Sequence, residues 1–170
     1  MNSQKNNTSV QTFCTVAVFA VFALLAVLLT ASGANVYKKI TDNMQANNAL
    51  RSSLSYAANK VRSYDNGEGK IYIGEKDGVQ VMALTEFSDS GSYITYIYYK
   101  DGSLLEYTVA ADREFSADYG EEIAKLENFE MKWEEDIFNF SAQAEKGRKM
   151  SIKVRAKNPG TITATAKGGI

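Results

Sequence analysis

The sequence predicts an α+β protein in which a long N-terminal helix packs on an antiparallel β-sheet. Three observations support this fold class. Residues 12–34 are apolar over a length that spans a membrane as a helix, and residues 35–64 continue with helical periodicity and without proline. Residues 70–157 then change to a two-residue period, rich in Ile, Val, Thr and Tyr and interrupted by Asp-Gly pairs. The helix is therefore expected to have a transmembrane half and an amphipathic half.

The first half of the helix follows a short N-terminal segment, residues 1–11. Lys5 and Lys38 are separated by 32 uncharged residues, and about 20 apolar residues suffice to cross the hydrocarbon core of a bilayer. We predict a transmembrane helix over residues 12–34. A cleaved signal peptide is the alternative, because the small residues 32–34 follow the apolar run. The run is longer than the usual h-region of about 7–15 residues, which favours the uncleaved anchor. The predicted anchor residues are Phe19, Phe22, Leu25 and Leu28.

The second half of the helix, residues 35–64, is amphipathic. Its apolar residues recur at spacings of three and four, which places them on one helical face, and its charged residues lie mostly elsewhere. The turn-forming residues 65–69 end the helix. We expect this face to dock on the sheet through Ile40, Leu50, Leu54 and Val61.

Strand-forming segments fill residues 70–157, the predicted antiparallel β domain. The pairs Asp77-Gly78 and Asp101-Gly102 are strong hairpin signals. A short helix is predicted at residues 121–126, and residues 158–170 are expected to form a flexible tail. The predicted strands are a four-strand meander over 70–74, 79–87, 93–100 and 103–110, followed by 128–133, 137–144 and 149–157.

The composition argues against an enzyme. The chain contains no histidine and one cysteine, so it lacks the usual general base of a catalytic triad and cannot form an intrachain disulfide or a thiolate metal cage. Basic and acidic residues number 19 and 20, so no overall field attracts nucleic acid. The acids at 134–136 and at 112, 114 and 118 lack EF-hand spacing. We predict no catalytic residue, cofactor, metal site or small-molecule substrate.

Charge is nevertheless segregated along the chain. Residues 106–136 contain eleven acids and three bases, whereas residues 146–157 contain six bases and no acid. In one interpretation, Lys149, Lys153 and Arg155 face Glu130 and Glu134 across neighbouring strands. In the other, the three basic residues form a pole that aligns partners, because charge complementarity fixes register and steers encounter.

Four tyrosines crowd the strand over residues 93–100. Alternation places Tyr96 and Tyr98 on the same face of this strand. Tyrosine packs well on half-buried sheets and is also enriched at protein interfaces. Packing within the sheet is the favoured interpretation for Tyr96 and Tyr98, and a partner contact is the alternative.

The order of elements resembles the type IV pilin-like proteins, in particular the minor pilins and pseudopilins, including divergent members from Gram-positive bacteria. The resemblance covers residues 12–157. It rests on a hydrophobic half-helix, an amphipathic half-helix and an antiparallel sheet, with the late pattern Gly120-Glu121-Glu122-Ile123 leading into paired strands that end at Ile152 and Val154. It implies a single-pass protein of the bacterial cell membrane with an extracytoplasmic C-terminal domain. It also implies that the partners are the membrane and other pilin-like subunits or assembly-platform proteins.

The chain departs from the family pattern at two places. The family has a glycine just before the hydrophobic run, and this chain has none there. The family also has a glutamate at the fifth mature position, whereas no acid occurs in this chain before Asp42. These are the two features that, in the family, serve processing by a prepilin peptidase and a place in the filament shaft, and both of these properties stay open for this chain. We predict a structural component of a pilus, secretion or DNA-uptake apparatus. The alternative is a membrane-tethered or secreted binding domain.

Overall fold

The computed structural model describes residues 3–67, 70–88, 91–158 and 162–164. The chain divides into two compact units, Met1–Met44 and Gln45–Ile170. A single helix, α1, spans Ser3–Tyr64 and therefore continues from the first unit into the second. Gly33, which lowers helix stability by about 1 kcal/mol relative to alanine, does not interrupt it.

The second unit contains the end of α1 and the β-strands. The predicted α+β class is confirmed, and each strand of the predicted meander is present with its boundary shifted by no more than two residues. A short 3-10 turn, Glu145–Gly147, links the seventh and eighth strands. The strands are β1 Lys70–Lys76, β2 Val79–Ser88, β3 Gly91–Lys100, β4 Ser103–Ala110, β5 Glu121–Lys125, β6 Asn128–Glu134, β7 Ile137–Ala144, β8 Arg148–Arg155 and β9 Ile162–Ala164.

The strands form two sheets where the sequence predicts one. A six-stranded sheet has the order β5-β4-β3-β2-β1-β9, antiparallel except for β9, and a three-stranded antiparallel sheet has the order β6-β7-β8. The prediction of a helix at residues 121–126 is wrong, because β5 occupies this position and pairs with β4. Such a short segment gains little from helix formation, since nucleation is costly, whereas pairing with β4 buries Ala124 opposite Leu104.

The hairpin turns are of the kind that the Asp-Gly pairs predict. Asp77-Gly78 and Asp101-Gly102 all have positive φ, as a two-residue type I′ turn requires. The β6–β7 turn has the same left-handed geometry at Glu135 and Asp136, with φ of 49° and 64°. Asp136 is of a residue type that tolerates this conformation, whereas Glu135 is not, so Glu135 costs about 1–2 kcal/mol in backbone energy.

The main core lies where the second half of α1 meets the inner faces of both sheets. Leu50, Leu54 and Val61 of the helix are buried in the same cluster as residues from each sheet. The sheet residues of this cluster include Ile71, Met82, Leu84, Ile97, Leu104, Met131, Phe138 and Phe140. A smaller cluster covers the opposite face of the six-stranded sheet, where Phe115 and Ala117 of the β4–β5 connection pack on it.

The predicted flexible tail contains a strand within its described part. β9 lies parallel to β1, with Ile71 opposite Ile162. Lys157 and Asn158 precede β9 in the chain, and their backbone N–H groups donate hydrogen bonds to the carboxylate of the buried Asp65. The bond from Asn158 is 2.7 Å long. The end of α1 thus fixes the chain where it leaves β8. Residues 159–161 and 165–170 of the predicted tail lie outside the described residues.

Candidate functional site

The first unit presents an apolar helical surface. Over the described chain, one helix is long and apolar enough to cross a membrane, with a mean hydropathy of 2.7 in its most apolar window and none of that window buried. The four predicted anchor residues lie on this surface, Phe19 and Phe22 at 70% exposure and Leu25 and Leu28 at 57% and 55%. Such a helix suits single-pass membrane anchoring.

The predicted docking residues of α1 divide into two groups. Leu50, Leu54 and Val61 are no more than 3% exposed and contact the sheets through the main core. Ile40 is 52% exposed, lies in the first unit and is outside that core, so its predicted docking on the sheet stays a prediction. The apolar period is the same on both sides of residue 44, and periodicity alone does not indicate where along a helix the sheet begins.

A polar cluster also holds α1 to the six-stranded sheet. Lys60 donates to Glu106 Oε1 at 2.6 Å, and Tyr56 donates to the other carboxylate oxygen. Burial, and secondarily the carboxylate of Glu121, raises the pKa of Glu106. The cluster fixes the helix on the sheet, and helical periodicity gave no signal for it.

Tyr96 and Tyr98 are buried, which agrees with the favoured interpretation of packing within the sheet and corrects the alternative of a partner contact. They are 3% and 0% exposed, and the Phe115 ring lies 4.5 Å from that of Tyr96 and 5.2 Å from that of Tyr98. The Tyr98 hydroxyl donates to Tyr119 O at 2.7 Å, and burial raises the pKa of both phenols. Packing within the sheet accounts for these two residues.

Lys149, Lys153 and Arg155 point from the outer face of β8 and are exposed. Their cross-strand neighbours on β7 are Gln143, Asn139 and Ile137. The predicted pairing with Glu130 and Glu134 is wrong, because both acids are on β6 and β7 lies between the two strands. Within the described chain, ion pairs join Lys60 to Glu106 and Lys100 to Asp118, and none involves these three residues.

A polar groove of about 520 Å³ lies on the outer face of the three-stranded sheet. Asn139 on β7 lies between Lys132 on β6 and Lys153 on β8 in the strand register. The Asn139 Oδ1 atom is buried and accepts no hydrogen bond from the described residues. The groove therefore presents two ammonium groups beside an unused acceptor. Its lining is Lys132, Glu134, Glu135, Ile137, Asn139 and Lys153.

The two edges of the three-stranded sheet differ. On β6, the side-chain amide of Gln80 donates to Met131 O at 2.8 Å and accepts from Met131 N at 3.2 Å. This amide occupies backbone groups that another strand would need. β8 pairs with β7 and, within the described residues, has no neighbour on its other side. No local sequence pattern indicates this difference between the edges, because Gln80 and Met131 are 51 positions apart.

Among the described residues, no three His, Cys, Asp or Glu side chains come together as a group that could hold a metal ion. Cys14 lies exposed on the apolar part of α1.

A family described as a domain of unknown function, DUF4860, matches residues 48–145. The matched segment begins in the buried half of α1 and ends just after β7. It covers more than half of the chain, and the chain belongs to this family. No curated protein and no solved structure matches the chain.

Proposed function

We propose that this DUF4860 protein is a non-enzymatic, single-pass membrane component that resembles a minor pilin or pseudopilin. It contributes to a type IV pilus, secretion or DNA-uptake apparatus through packing of its N-terminal helix. Its partners are the membrane and other pilin-like subunits or assembly-platform proteins. One observation carries this proposal: a single helix is apolar and exposed in its first half and buried against antiparallel sheets in its second.

Each half of α1 supports a separate part of the proposal. The exposed side chains of the first half include Phe19 and Phe22, which in water would leave a large apolar surface uncovered, whereas in a bilayer they face lipid or a neighbouring helix. In the second half, Leu50 and Leu54 join the helix to the sheets. A helix used in this way anchors a folded domain and presents an apolar surface for assembly.

Cysteine scanning tests helix packing between subunits. With Cys14 replaced by serine, single cysteines are introduced at positions 13–20 and oxidised in the native membrane. If subunits pack through α1, crosslinking peaks every three or four residues, because one helical face contacts the neighbour. A protein that inserts into the membrane but gives no crosslink at any position contradicts the pilin-like assembly.

Labelling in whole cells tests the proposed orientation. In the same serine background, Asp112→Cys places a thiol in the exposed β4–β5 connection. A membrane-impermeant maleimide is expected to label it in intact cells. Labelling only after permeabilisation would place the domain in the cytoplasm, and an N-terminus found by mass spectrometry after residue 34 would show a cleaved signal peptide instead of an anchor.

A membrane-tethered binding domain is the second candidate function. The groove over Asn139 favours it, because its buried Oδ1 accepts no hydrogen bond from the described chain. If Lys132→Ala and Lys153→Ala leave assembly intact but abolish the function of the apparatus in cells, this candidate gains support. Loss of assembly in the same variants would favour a purely structural role.

A further inference from the structure

The outer edge of β8 offers hydrogen-bonding groups that no described strand uses. β8 is eight residues long and pairs with β7 along its whole length. From Lys149 to Arg155, an edge beside which no described strand lies presents a row of backbone N–H and C=O groups. At the opposite edge of the same sheet, the Gln80 amide occupies the backbone groups of Met131. The two edges of this sheet therefore differ in whether their backbone groups are available to another strand.

The side chains on the two faces of β8 have different chemistry. Lys149, Lys153 and Arg155 are exposed on the outer face. On the inner face, Met150 is 40% exposed and Ile152 is half-buried. A strand that lies beside β8 would therefore meet positive charge on one face and apolar surface on the other.

We propose that β8 is a docking edge for an extended segment of a partner protein whose side chains alternate between carboxylates and apolar groups. Strand addition supplies backbone hydrogen bonds, and alternate side chains supply specificity. The carboxylates would oppose Lys149, Lys153 and Arg155, and the apolar groups would cover Met150 and Ile152. This proposal does not depend on the function proposed above.

Charge argues against a second copy as the occupant. Two β8 strands side by side would bring Lys149, Lys153 and Arg155 against the same residues of the other copy, and opposed like charges destabilise strand pairs. The strand of this chain that best matches the required pattern is β6, where Glu130 and Glu134 alternate with apolar residues, but β6 is already paired with β7 and bonded to Gln80. The occupant is therefore a segment of another protein.

A designed peptide tests the proposal on the full chain in a neutral detergent. The probe is a fluorescein-labelled decapeptide of alternating Glu and Val, and its control has Lys in place of Glu. We expect fluorescence anisotropy to show binding of the Glu peptide and at least about tenfold weaker binding of the Lys peptide. Equal affinities for the two peptides would overturn the proposal.

Backbone methylation separates strand addition from simple charge attraction. Two versions of the Glu peptide carry N-methyl groups on alternate amides. In one version the amides of the Glu residues are methylated, and in the other those of the Val residues. Because the amides of a strand point alternately to its two sides, we expect one version to lose binding and the other to retain it. Equal binding of both versions would reduce the contact to electrostatic attraction and contradict strand addition.

Charge-matched variants locate the contact. Lys149→Glu, Lys153→Glu and Arg155→Glu together should weaken binding of the Glu peptide about tenfold or more. Lys70→Glu, Lys76→Glu and Lys125→Glu change the net charge equally and should leave binding within about twofold. Similar losses in both variants would contradict a contact at β8. If the β8 variant does not fold, the methylated peptides still decide the question on the unmodified chain.

Discussion

Lys60 of α1 and Glu106 of β4 form an ion pair in which Nζ lies 2.6 Å from Oε1. Both side chains are largely buried, at 26% and 21% exposure. Tyr56, one turn earlier on the helix, donates to the second oxygen of the same carboxylate. A single acid on the sheet therefore fixes two consecutive turns of α1, beside the apolar contacts that the helix makes through the main core.

The stability of the domain should depend on pH through Glu106. Burial raises the pKa of this carboxyl from 4.5, although the ammonium of Lys60 favours its ionised form. The protonated group therefore favours folding in full below its unfolded pKa, and this contribution is lost as the pH rises through the folded pKa. We expect urea unfolding, followed by Trp133 fluorescence, to show a smaller decline in stability between about pH 4 and pH 7 for Glu106→Gln than for wild type.

A carbon NMR titration of Glu106 provides the check on this pH dependence. Glu121→Gln should lower the pKa of Glu106, because it removes a neighbouring negative charge. Lys60→Met should raise it further, because it removes the ammonium. An unchanged pKa in both variants would show that neither charge acts on Glu106.

Shortening a leucine side chain should have different effects on stability in the two halves of α1. Leu54→Ala opens a cavity in the main core and should lower the free energy of unfolding by about 2–5 kcal/mol. Leu28→Ala makes the same chemical change at a site that is 55% exposed, and should alter it by less than about 0.5 kcal/mol. Denaturant unfolding of the full chain in detergent measures both. Equal effects would contradict the division of α1 into an exposed and a buried half.

Removal of Gln80 should weaken the connection between the two sheets. Gln80→Ala leaves Met131 N–H and C=O without their side-chain partner and should cost about 1–3 kcal/mol of stability. The matched control is Gln143→Ala, which loses an exposed bond to Glu127 and should cost less than about 0.5 kcal/mol. The two changes are compared by urea unfolding. Gln80→Ala should also speed hydrogen exchange at Met131, and unchanged exchange there would contradict the protective role of Gln80.

Asp65 should hold the backbone of the segment that follows β8 in place. Asp65→Ala removes the acceptor of the Lys157 and Asn158 amides, and bonds to a charged acceptor contribute about 1.5–3 kcal/mol. Faster hydrogen exchange at Lys157 and Asn158 is the expected readout. Asp112→Ala, in the exposed β4–β5 connection, should leave both amides unchanged. If the Asp65 variant also leaves them unchanged, the carboxylate does not hold this segment.

The sequence by itself determined the features that depend on neighbouring residues. The uncharged run between Lys5 and Lys38 required an apolar helix, and the Asp77-Gly78 and Asp101-Gly102 pairs required tight hairpins. Alternation also placed Tyr96 and Tyr98 on one face of β3, with Ile97 on the other. In each case, side-chain chemistry and local backbone geometry were sufficient.

Only the tertiary structure decided which faces are covered and which edges are open. Alternation shows that Tyr96 and Tyr98 share a face, but the β4–β5 connection buries them. Charge spacing suggested that Lys153 could meet Glu130, but β7 lies between their strands. Gln80 closes one edge of the three-stranded sheet from 51 positions away, whereas β8 has no such neighbour among the described residues. The physical reason is that the choice of strand neighbours depends on contacts between residues distant in sequence, and local patterns do not contain that information.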